Sequence, residues 1–540
     1  MSDRIGISIL IPIIIIALLT FAIFYLGQPA WTLSSPGLWT AVFLVGVVTT
    51  LFLGIYDYLR NDESGMFIVC LLITLGILVL FGILGLVSAP IFNGETYKNA
   101  IKIEERNFEE DFSDVQDEQF FDNLDLDTAI RLGNRVVGSI QNAAWYEVDR
   151  EYNLIKYQDE LYRLSPLNYG GLFKFNKAKY QGIPGYILVN VHTCEANFVE
   201  NTIRYSPSGY FSMNLKRHLR GQYPSYVFDT SFLEIDEEGT PFWVTGVKRR
   251  NAGLFGARTV ESFILTNAET GESTEYKIED KPDWIDHVFS LSYLMEVAYW
   301  HYEYANGVVN PSKTGVYRTS YTYRVRATDE HPDVNFYGYN SFVDNDGTIC
   351  VFTGITPANG AEANTGFLTV NTATGEFKYY PVAGAEESSA QDVAEGLVQN
   401  LGYEATYPIV TNVGGEPTYL MSLKDKSGLI QRTAMVNLKN YAIAVVGNEF
   451  HDTTKAYLAK LSGEGSESVN NSSDVLSITG TIEKIYQAEI EGTTYRYYLI
   501  DGELYKAAIT INEKQLLLTE GDTVEITYRP GDINDIVNFK

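Results

Sequence analysis

Cysteine and histidine are scarce in this sequence, which contains three cysteines and six histidines among its 540 residues. So few cysteines exclude a disulfide-stapled scaffold, and because Cys70 lies in a long apolar run, only Cys194 and Cys350 remain as candidates for one disulfide. The histidines are scattered, and no HExxH, CxxC or paired metal-ligand spacing occurs. We therefore expect neither a metal ion nor a cofactor.

Catalytic signatures are missing as well. The sequence has no GxSxG nucleophile elbow, and Cys194 and Cys350 lie in strand-like runs, where buried and unreactive thiols are usual. Its 68 acidic residues offer no carboxylate pair that stands out as a glycosidase site. The pattern favours a protein without enzymatic activity. An envelope enzyme that acts on wall polymer or peptide through a carboxylate-based site stays open as the alternative.

Basic residues are few, since 40 Lys and Arg against 68 Asp and Glu give a formal net charge of -28. Nucleic acid and anionic lipid both bind basic patches, so this charge argues against both as partners. One basic cluster stands out, formed by Lys216, Arg217, His218 and Arg220. It is a candidate contact for an anionic wall polymer, and the alternative is a helix end neutralised by neighbouring acids.

Charged residues are missing altogether from three N-terminal runs of roughly twenty residues, 5–26, 38–56 and 66–88. Each run is long enough to cross the ~30 Å hydrocarbon layer of a bilayer, so residues 1–92 are predicted to form a membrane domain with three transmembrane helices. None of the runs contains an ionisable group that would serve a transport path.

The short flanks of these runs predict the orientation. Arg4 precedes the first run and Arg60 lies between the second and third, whereas the loop between the first and second runs has no basic residue. Basic flanks stay in the cytoplasm, so the N-terminus is predicted to be cytoplasmic and the chain after about residue 92 to be extracytoplasmic.

The rest of the chain divides by composition. Residues 93–127 form an acidic juxtamembrane segment with phenylalanines at intervals, which we interpret as a solvated helix or stalk, because no EF-hand spacing supports calcium binding. Residues 461–474 are rich in Ser, Gly and Asn and read as a linker. Residues 475–540 show five or six short strands whose order resembles a small OB-like β-barrel.

Residues 128–460 contain repeated patterns. Gly-x-Pro-x-aromatic begins at Gly182, Gly239 and Gly415, and each copy predicts a turn followed by a strand with its aromatic ring inward, so we interpret all three as repeated hairpin entrances. Asn-x-x-Thr-Gly-Glu occurs at 267–272 and 371–376 and predicts a hairpin turn with a positive-φ glycine.

A capped amphipathic helix is predicted after Ser389, with Val393, Leu397 and Leu401 on its apolar face and Gly402 as its stop.

The helix, the antiparallel strands and the Thr-Gly-Glu turn together resemble the PepSY-type module of extracytoplasmic bacterial proteins. The stretches LKRHLRGQYPS, NAGLFGA and KPDWID are also similar to those of uncharacterised polytopic membrane proteins of Gram-positive bacteria. The resemblance implies an α+β region of repeated helix-plus-antiparallel-sheet modules with a regulatory, inhibitory or assembly role. The module around Gly182 departs from the pattern because it lacks the Thr-Gly-Glu turn.

The segment PDWID places Trp284 between Asp283 and Asp286, which suits a sugar or peptide contact through ring stacking and carboxylate hydrogen bonds. The alternative is a helix start in which one of the aspartates is the N-cap and the tryptophan packs inward. The segment at 343–349, VDNDGTI, is interpreted first as a hairpin turn and only second as a calcium loop.

These patterns together predict a non-enzymatic, membrane-anchored binding, regulatory or assembly protein of the cell envelope. The expected partners are the lipid bilayer and either an envelope protein or a second copy of the chain, and no nucleic acid is expected.

Overall fold

The fold is described from a computed structural model of the chain, which divides into two compact units, Met1–Leu458 and Ala459–Lys540. Most of the predicted linker, residues 464–474, lies outside the described residues. The structure describes residues 2–60, 65–114, 124, 126–138, 140, 142–305, 307–308, 317–319, 340–344, 347–357, 363–463, 476–490, 493–508, 515, 518–529 and 533–539.

The chain begins with three long helices, α1 (Ser2–Gly27), α2 (Pro36–Arg60) and α3 (Met66–Val87). Two helical spans, Pro36–Leu59 and Met66–Val87, are long and apolar enough to cross a membrane. The apolar stretch that qualifies in α1 is shorter and covers Ile13–Gly27. Two N-terminal apolar helices are thus consistent with a membrane protein, and a first transmembrane span over α1 stays a prediction.

A short helix and a short strand lead from the third helix into a region built from β-sheets. The four larger sheets of this region follow one another along the chain, and at least one helix precedes each of them. The elements up to the second sheet are α4 (Pro90–Lys98), β1 (Ile103–Glu105), α5 (Phe108–Asp111), α6 (Leu126–Val137), β2 (Tyr146–Val148), β3 (Asn153–Tyr157), β4 (Glu160–Tyr169), α7 (Leu172–Ala178), β5 (Ile183–Asn190), β6 (Ala196–Ile203), α8 (Leu215–Gln222), β7 (Val227–Ile235), β8 (Pro241–Arg250), β9 (Arg258–Asn267) and β10 (Ser273–Lys277).

The third and fourth sheets complete the first compact unit. A two-stranded ribbon pairs β14, which precedes β15 of the third sheet, with β17, which follows that sheet. Their elements are α9 (Leu291–Glu303), β11 (Tyr317–Thr319), β12 (Asn340–Val343), β13 (Ile349–Pro357), β14 (Ala363–Asn364), β15 (Gly366–Asn371), β16 (Phe377–Tyr380), β17 (Gly384–Ala385), α10 (Glu387–Leu397), β18 (Glu404–Ala405), β19 (Ile409–Val413), β20 (Glu416–Lys424), β21 (Ile430–Asn437), β22 (Ala444–Gly447) and α11 (Phe450–Leu461).

The four sheets are variants of one plan, an antiparallel meander. The second sheet is a simple antiparallel meander in the order β10-β9-β8-β7. In the other three, two short strands share one side of the next long strand, β2 and β3 on β4, β11 and β12 on β13, and β18 and β19 on β20. This common plan supports a duplicated building block.

The second sheet is covered on both faces. Trp243 of β8 and Ile264 of β9 point into the core of the first sheet, whereas Val244 and Phe263, their sequence neighbours, pack with α9 and the third sheet. Successive strand residues point to opposite faces, so these strands read as nearly continuous apolar runs. The sheets are therefore joined by shared cores.

An asparagine turn recurs in each of the four larger sheets, between the last two strands of its antiparallel meander. The side-chain oxygens of Asn190, Asn267, Asn371 and Asn437 each accept hydrogen bonds from the backbone N–H groups two and three residues later, over 2.8–3.0 Å. An Asx side chain that satisfies these N–H groups stabilises the reversal of the chain. Two of the turns are those predicted from Asn-x-x-Thr-Gly-Glu.

The first sheet has the same turn without the glycine. Cys194 adopts a φ of 56° where the second and third sheets have Gly271 at 77° and Gly375 at 72°. The interpretation that the first module lacks this turn was therefore wrong for its geometry, because a cysteine replaces the glycine at the left-handed position.

The Gly-x-Pro-x-aromatic copies confirm the predicted strand starts and buried rings, since Tyr186, Trp243 and Tyr419 have 2% or less of their surface accessible. The interpretation that the three copies are equivalent hairpin entrances was wrong. The copies at Gly239 and Gly415 precede the second long strand of a meander, whereas the copy at Gly182 follows α7 and begins the third.

The predicted helix near Ser389 is α10, but it begins earlier, after the N-cap position of Glu386. Its buried residues are Glu387, Ala390 and Ala394, the C-cap residue Val398 is also buried, and Leu397 and Leu401 are exposed. The predicted apolar face was therefore wrong, because alanines bring the helix close to its sheet and leave the larger side chains outside.

The second compact unit contains a closed five-stranded barrel in the order β23-β24-β25-β27-β26. Its third and fifth strands pair in parallel, and all other neighbours are antiparallel. Ile482, Tyr498, Ile500 and Ile526 lie among its core residues. The strands are β23 (Leu476–Ile490), β24 (Thr493–Ile500), β25 (Glu503–Ala508), β26 (Thr523–Arg529) and β27 (Asn534–Phe539).

The asparagine turns allow a matched test of backbone strain. Gly271→Ala is expected to lower the free energy of unfolding by about 2–4 kcal/mol, because its Cβ adds left-handed strain and overpacking. That Cβ would lie 2.5 Å from Cε2 of Tyr205. Cys194→Ala, at a position that already has a Cβ, should change it by less than about 1 kcal/mol. Denaturant unfolding in detergent measures both variants, and equal losses would contradict this account.

Candidate binding site between the third and fourth sheets

Residues 103–114, here called the strap, cross the edge of the third sheet. β1 pairs in parallel with β16, with Ile103 opposite Phe377 and Glu105 opposite Tyr379. The backbone N–H of Arg106 then donates to the carbonyl of Tyr379 over 2.9 Å. Part of the acidic segment, which we expected to be a solvated helix or stalk, is thus an added edge strand. Residues 115–123 lie outside the described residues.

Two phenylalanines anchor the strap. Phe108 and Phe112 are buried and stack on each other with ring centroids 4.8 Å apart. Both rings also contact Phe367 of β15 edge-on, at 6.0 and 5.7 Å. Burying a phenylalanine side chain contributes about 1.5–3 kcal/mol, so these two rings supply most of the apolar attachment.

A charged cluster closes over the rings. The Nη2 and Nε atoms of Arg106 donate to the two carboxylate oxygens of Asp111 over 2.6 and 3.0 Å. Tyr380 of β16 donates its hydroxyl to the same carboxylate over 2.8 Å. The hydrogen bonds from Arg106 lower the pKa of Asp111, and burial raises the pKa of Tyr380. Charge-assisted bidentate bonds of this kind hold one geometry.

The end of the strap reaches the fourth sheet. The side-chain amide of Asn412 donates to the carbonyl of Phe112 over 2.8 Å, and the N–H of Gly414 donates to Asp114 over 2.8 Å. Asp114 and Asn412 also form an isolated parallel bridge. The strap therefore connects the third sheet to the fourth through main-chain and side-chain hydrogen bonds.

A cavity lies on each side of Arg106. One has a volume of about 660 Å³ and is lined by strap residues, residues 381–383, Pro417 and Lys439. The other has a volume of about 340 Å³ and lies between Asp111, Asp344, Cys350, Lys378 and Tyr380, among other residues. Both volumes are in the range of small-molecule or side-chain sites.

The smaller cavity is polar, and its groups do not form a nucleophile. The Cys350 thiol lies 3.7 Å from a carboxylate oxygen of Asp344, and burial raises its pKa well above the usual range, so it stays protonated. All three cysteines are free. Within the described residues, no group of three or more His, Cys, Asp or Glu side chains is placed to hold a metal ion. The arrangement is suited to binding.

No family model matches the chain, and no curated protein matches it. The geometry of the described residues therefore carries the functional argument.

The PDWID segment packs against the first and second sheets. Asp283 is exposed, Trp284 is half-buried against Phe242 at 5.3 Å, and the carboxylate of Asp286 accepts a 2.7 Å hydrogen bond from the N–H of Lys156. The structure confirms that the tryptophan packs inward. Neither aspartate caps α9, because Ser290 is directly before the helix and accepts from the N–H of Tyr293.

Asp286 adjoins a buried acid–histidine pair. Nδ1 of His287 lies 2.9 Å from Oε1 of Glu234, and both side chains are almost inaccessible. Burial raises the pKa of Glu234 well above its usual range and lowers the pKa of His287 to about 4. Burial, with a contribution from Glu234, also raises the pKa of Asp286 to about 7. The pair is enclosed where the first three sheets meet, so we assign it a structural role.

The predicted basic cluster faces the N-terminal helices. The guanidinium of Arg217 lies 3.7 Å from the ring centroid of Tyr25 and donates to the Tyr25 carbonyl over 3.0 Å. Arg220 donates to the carbonyls of Tyr223, Pro224 and Tyr226. Carbonyls hold these two cations, and neither forms an ion pair with an acid among the described residues. The interpretation of a helix end neutralised by acids was wrong for both arginines.

Sequence reasoning did not find the strap. Its pairing partners are more than 260 residues away along the chain, as the Ile103–Phe377 register shows, and no local pattern marks a three-residue parallel strand. The available signal was the spacing of Phe108 and Phe112, four residues apart in an otherwise acidic segment.

Removing one anchor should release the strap. Phe112→Ala deletes a buried ring, a change that costs about 3–5 kcal/mol when the site does not collapse. We expect amide hydrogen exchange in residues 103–112 to accelerate on the order of a hundredfold or more. Tyr441→Ala, an exposed aromatic residue of the fourth sheet's asparagine turn, is the control and should leave strap exchange unchanged. Unchanged exchange in the Phe112 variant would show that the rings do not hold the strap.

Asp286 predicts a pH dependence of stability. Because its pKa rises from 3.8 to about 7 on folding, the folded chain keeps a proton that the unfolded chain releases, so stability falls as the pH rises through this window. Asp286→Asn keeps an oxygen for the Lys156 N–H and stays neutral. We expect it to exceed the wild type at pH 8 by on the order of 1 kcal/mol, a discounted value for a half-buried group.

The gain should disappear below about pH 4, where the native side chain is protonated in both states. Asp283→Asn, an exposed neighbour, is the control for the Asp286 variant and should show no comparable gain. Chemical denaturation at several pH values measures both, and a gain in Asp286→Asn that did not vary with pH would contradict the assignment.

Proposed function

We propose that the chain is a non-enzymatic, membrane-anchored protein of the cell envelope. In this proposal, the sheet edge at the strap and the larger cavity beside it bind an extended segment of a partner protein. The pairing of β1 with β16 carries this proposal, because it shows that this sheet edge accepts an extended chain through main-chain hydrogen bonds while adjacent rings hold its side chains. The strap occupies the edge in cis, and the 660 Å³ cavity beside it leaves room for a further segment.

The proposed anchor is three transmembrane helices with the sheets outside the cell. In support, Phe255 of the second sheet packs against Trp39 at 6.2 Å and Phe81 at 5.0 Å, and its N–H donates to Ser88 beyond α3. These edge-on ring contacts and the hydrogen bond to Ser88 would fix the sheets relative to the bilayer. This suits assembly or regulation at the membrane surface.

The finer fold assignments belong to the same proposal. The recurring helix and antiparallel meander support a PepSY-like module, and the barrel order with its parallel β25–β27 pair supports an OB-like barrel. The resemblance implies an extracytoplasmic role. It does not identify an activity, because such folds host many functions.

Photocrosslinking in intact cells tests this function. A photoreactive residue replaces Ala383, an exposed residue that lines the larger cavity, and the matched control replaces the exposed Leu401 after α10. We expect a specific protein adduct from Ala383 and none of that mass from Leu401. Protease added outside the cell should cut after residue 92, and full protection of that region would contradict the topology. Identical adducts from both positions, or none from Ala383, would contradict the binding site.

A further inference from the structure

The first sheet exposes large aromatic side chains around α7. Outside the N-terminal helices, Phe173 and Tyr180 are the most exposed large apolar side chains of the described residues, with 85% and 81% of their surface accessible. Phe211, just before α8, is also exposed, whereas Phe175 of the same helix is buried and holds α7 to its sheet. Exposed aromatic groups that cluster in this way mark an interaction surface.

The same region concentrates positive charge. Residues 171–180 contain three lysines, residues 211–222 contain one lysine and two arginines, and neither segment contains an acid, although the chain has a net charge of -28. Lys174 pairs with Glu147 over 3.5 Å, but the structure gives Lys177 and Lys216 no ion pair with any described residue. Partial desolvation and the Arg220 charge lower the pKa of Lys216, so a nearby anion would stabilise it.

The two segments contact each other. The ring of Phe175 in α7 lies 5.3 Å from Tyr210 and 6.3 Å from Phe211, which immediately precede α8. The exposed ring of Phe173 is two residues from Phe175, and Lys216 is five residues after Phe211. We call α7, residues 179–180, residues 211–213 and α8 the basic–aromatic face.

Contacts with α1 locate this face relative to the N-terminal helices. Pro224, after α8, accepts a 2.8 Å hydrogen bond from the N–H of Trp31, which lies beyond the end of α1. Arg217, earlier in α8, contacts Tyr25 in the last turn of α1. Pro224 therefore lies against the loop beyond α1, and Arg217 lies against the side of α1. The segment from Arg217 to Pro224 therefore lies beside the end of α1, the level at which a spanning α1 would leave the hydrocarbon layer.

We propose that the basic–aromatic face lies in the outer headgroup layer of the membrane and binds anionic phospholipid there. Its rings enter the interface, and its lysine ammonium groups, among them those of Lys177 and Lys216, hold headgroup phosphate oxygens. Charge complementarity and the position beside α1 select this occupant, and the inference rests on the membrane anchoring proposed above. The excess of acids over the whole chain does not oppose it, because charges more than about 8–10 Å away are largely screened at physiological salt.

Fluorescence quenching in proteoliposomes tests the face on the full-length chain. The three native cysteines are replaced by serine, and an environment-sensitive dye is attached to Phe173→Cys, to Tyr441→Cys as the exposed control, or to Leu72→Cys within α3. The bilayers are phosphatidylcholine with or without phosphatidylglycerol, and a nitroxide lipid is the quencher. We expect strong quenching at 173 in the anionic bilayer, weaker quenching in the neutral one, and none at 441.

Charge reversal gives the second measurement. Lys177→Glu should lower the bound-to-free ratio of the face by at least about fivefold in the anionic bilayer, the factor that corresponds to one lysine near a charged membrane. Lys277→Glu, the same charge change on the second sheet, should leave the quenching at 173 unchanged.

The outcomes separate the two proposals. If the dye at 72 is quenched but the dye at 173 is as accessible to water as the dye at 441, the lipid contact is overturned and the anchoring stays intact. If the dye at 72 is not quenched, both proposals are overturned. Equal quenching at 173 in neutral and anionic bilayers overturns the anionic specificity. A dye at 173 that is already shielded in detergent indicates a second copy or a protein partner on this face and overturns the lipid assignment.

Discussion

The two-sided burial of the second sheet is the constraint on which the first compact unit depends. Trp243 and Val244 are adjacent in β8, yet one lies in the core of the first sheet and the other packs with α9 and the third sheet. A strand that is apolar on both faces cannot leave either face in water, so its neighbours must cover it. The first and third sheets therefore cannot behave as independent modules. A hydrogen bond also links the first sheet to the second, since Tyr186 donates to the carbonyl of Gly239 over 2.8 Å.

The strap extends this continuity from the segment that follows α4 to the fourth sheet. It begins five residues after α4 and ends in hydrogen bonds to Asn412 and Gly414. A movement at the N-terminal helices or a segment that displaces the strap would therefore be transmitted to the contact between the third and fourth sheets. This coupling gives the proposed partner site a physical route to regulation, because the same groups hold the strap and line the cavities.

Charge is distributed in a way that composition hides. Buried acids such as Glu234 lie at sheet junctions, where burial favours their neutral form, and Arg217 of α8 lies against the last turn of α1. The net charge of -28 predicted no affinity for anionic surfaces. That prediction says nothing about a local patch, because a sum over the chain contains no information on position. Local electrostatics depend on which groups lie within about 10 Å of one another, and the fold sets those distances.

The sequence by itself determined the features that depend on near neighbours. Apolar runs predicted α2 and α3, Gly-x-Pro predicted the strand starts with buried rings, and Asn-x-x-Thr-Gly-Glu predicted two turns, because each pattern acts within a few residues. Only the tertiary structure decided that Cys194 occupies the glycine position of a third such turn, that the Leu397 side chain is on the exposed face of α10, and that the strap pairs with β16. These outcomes depend on contacts between residues far apart in the chain, where shared cores and backbone pairing outweigh local preference.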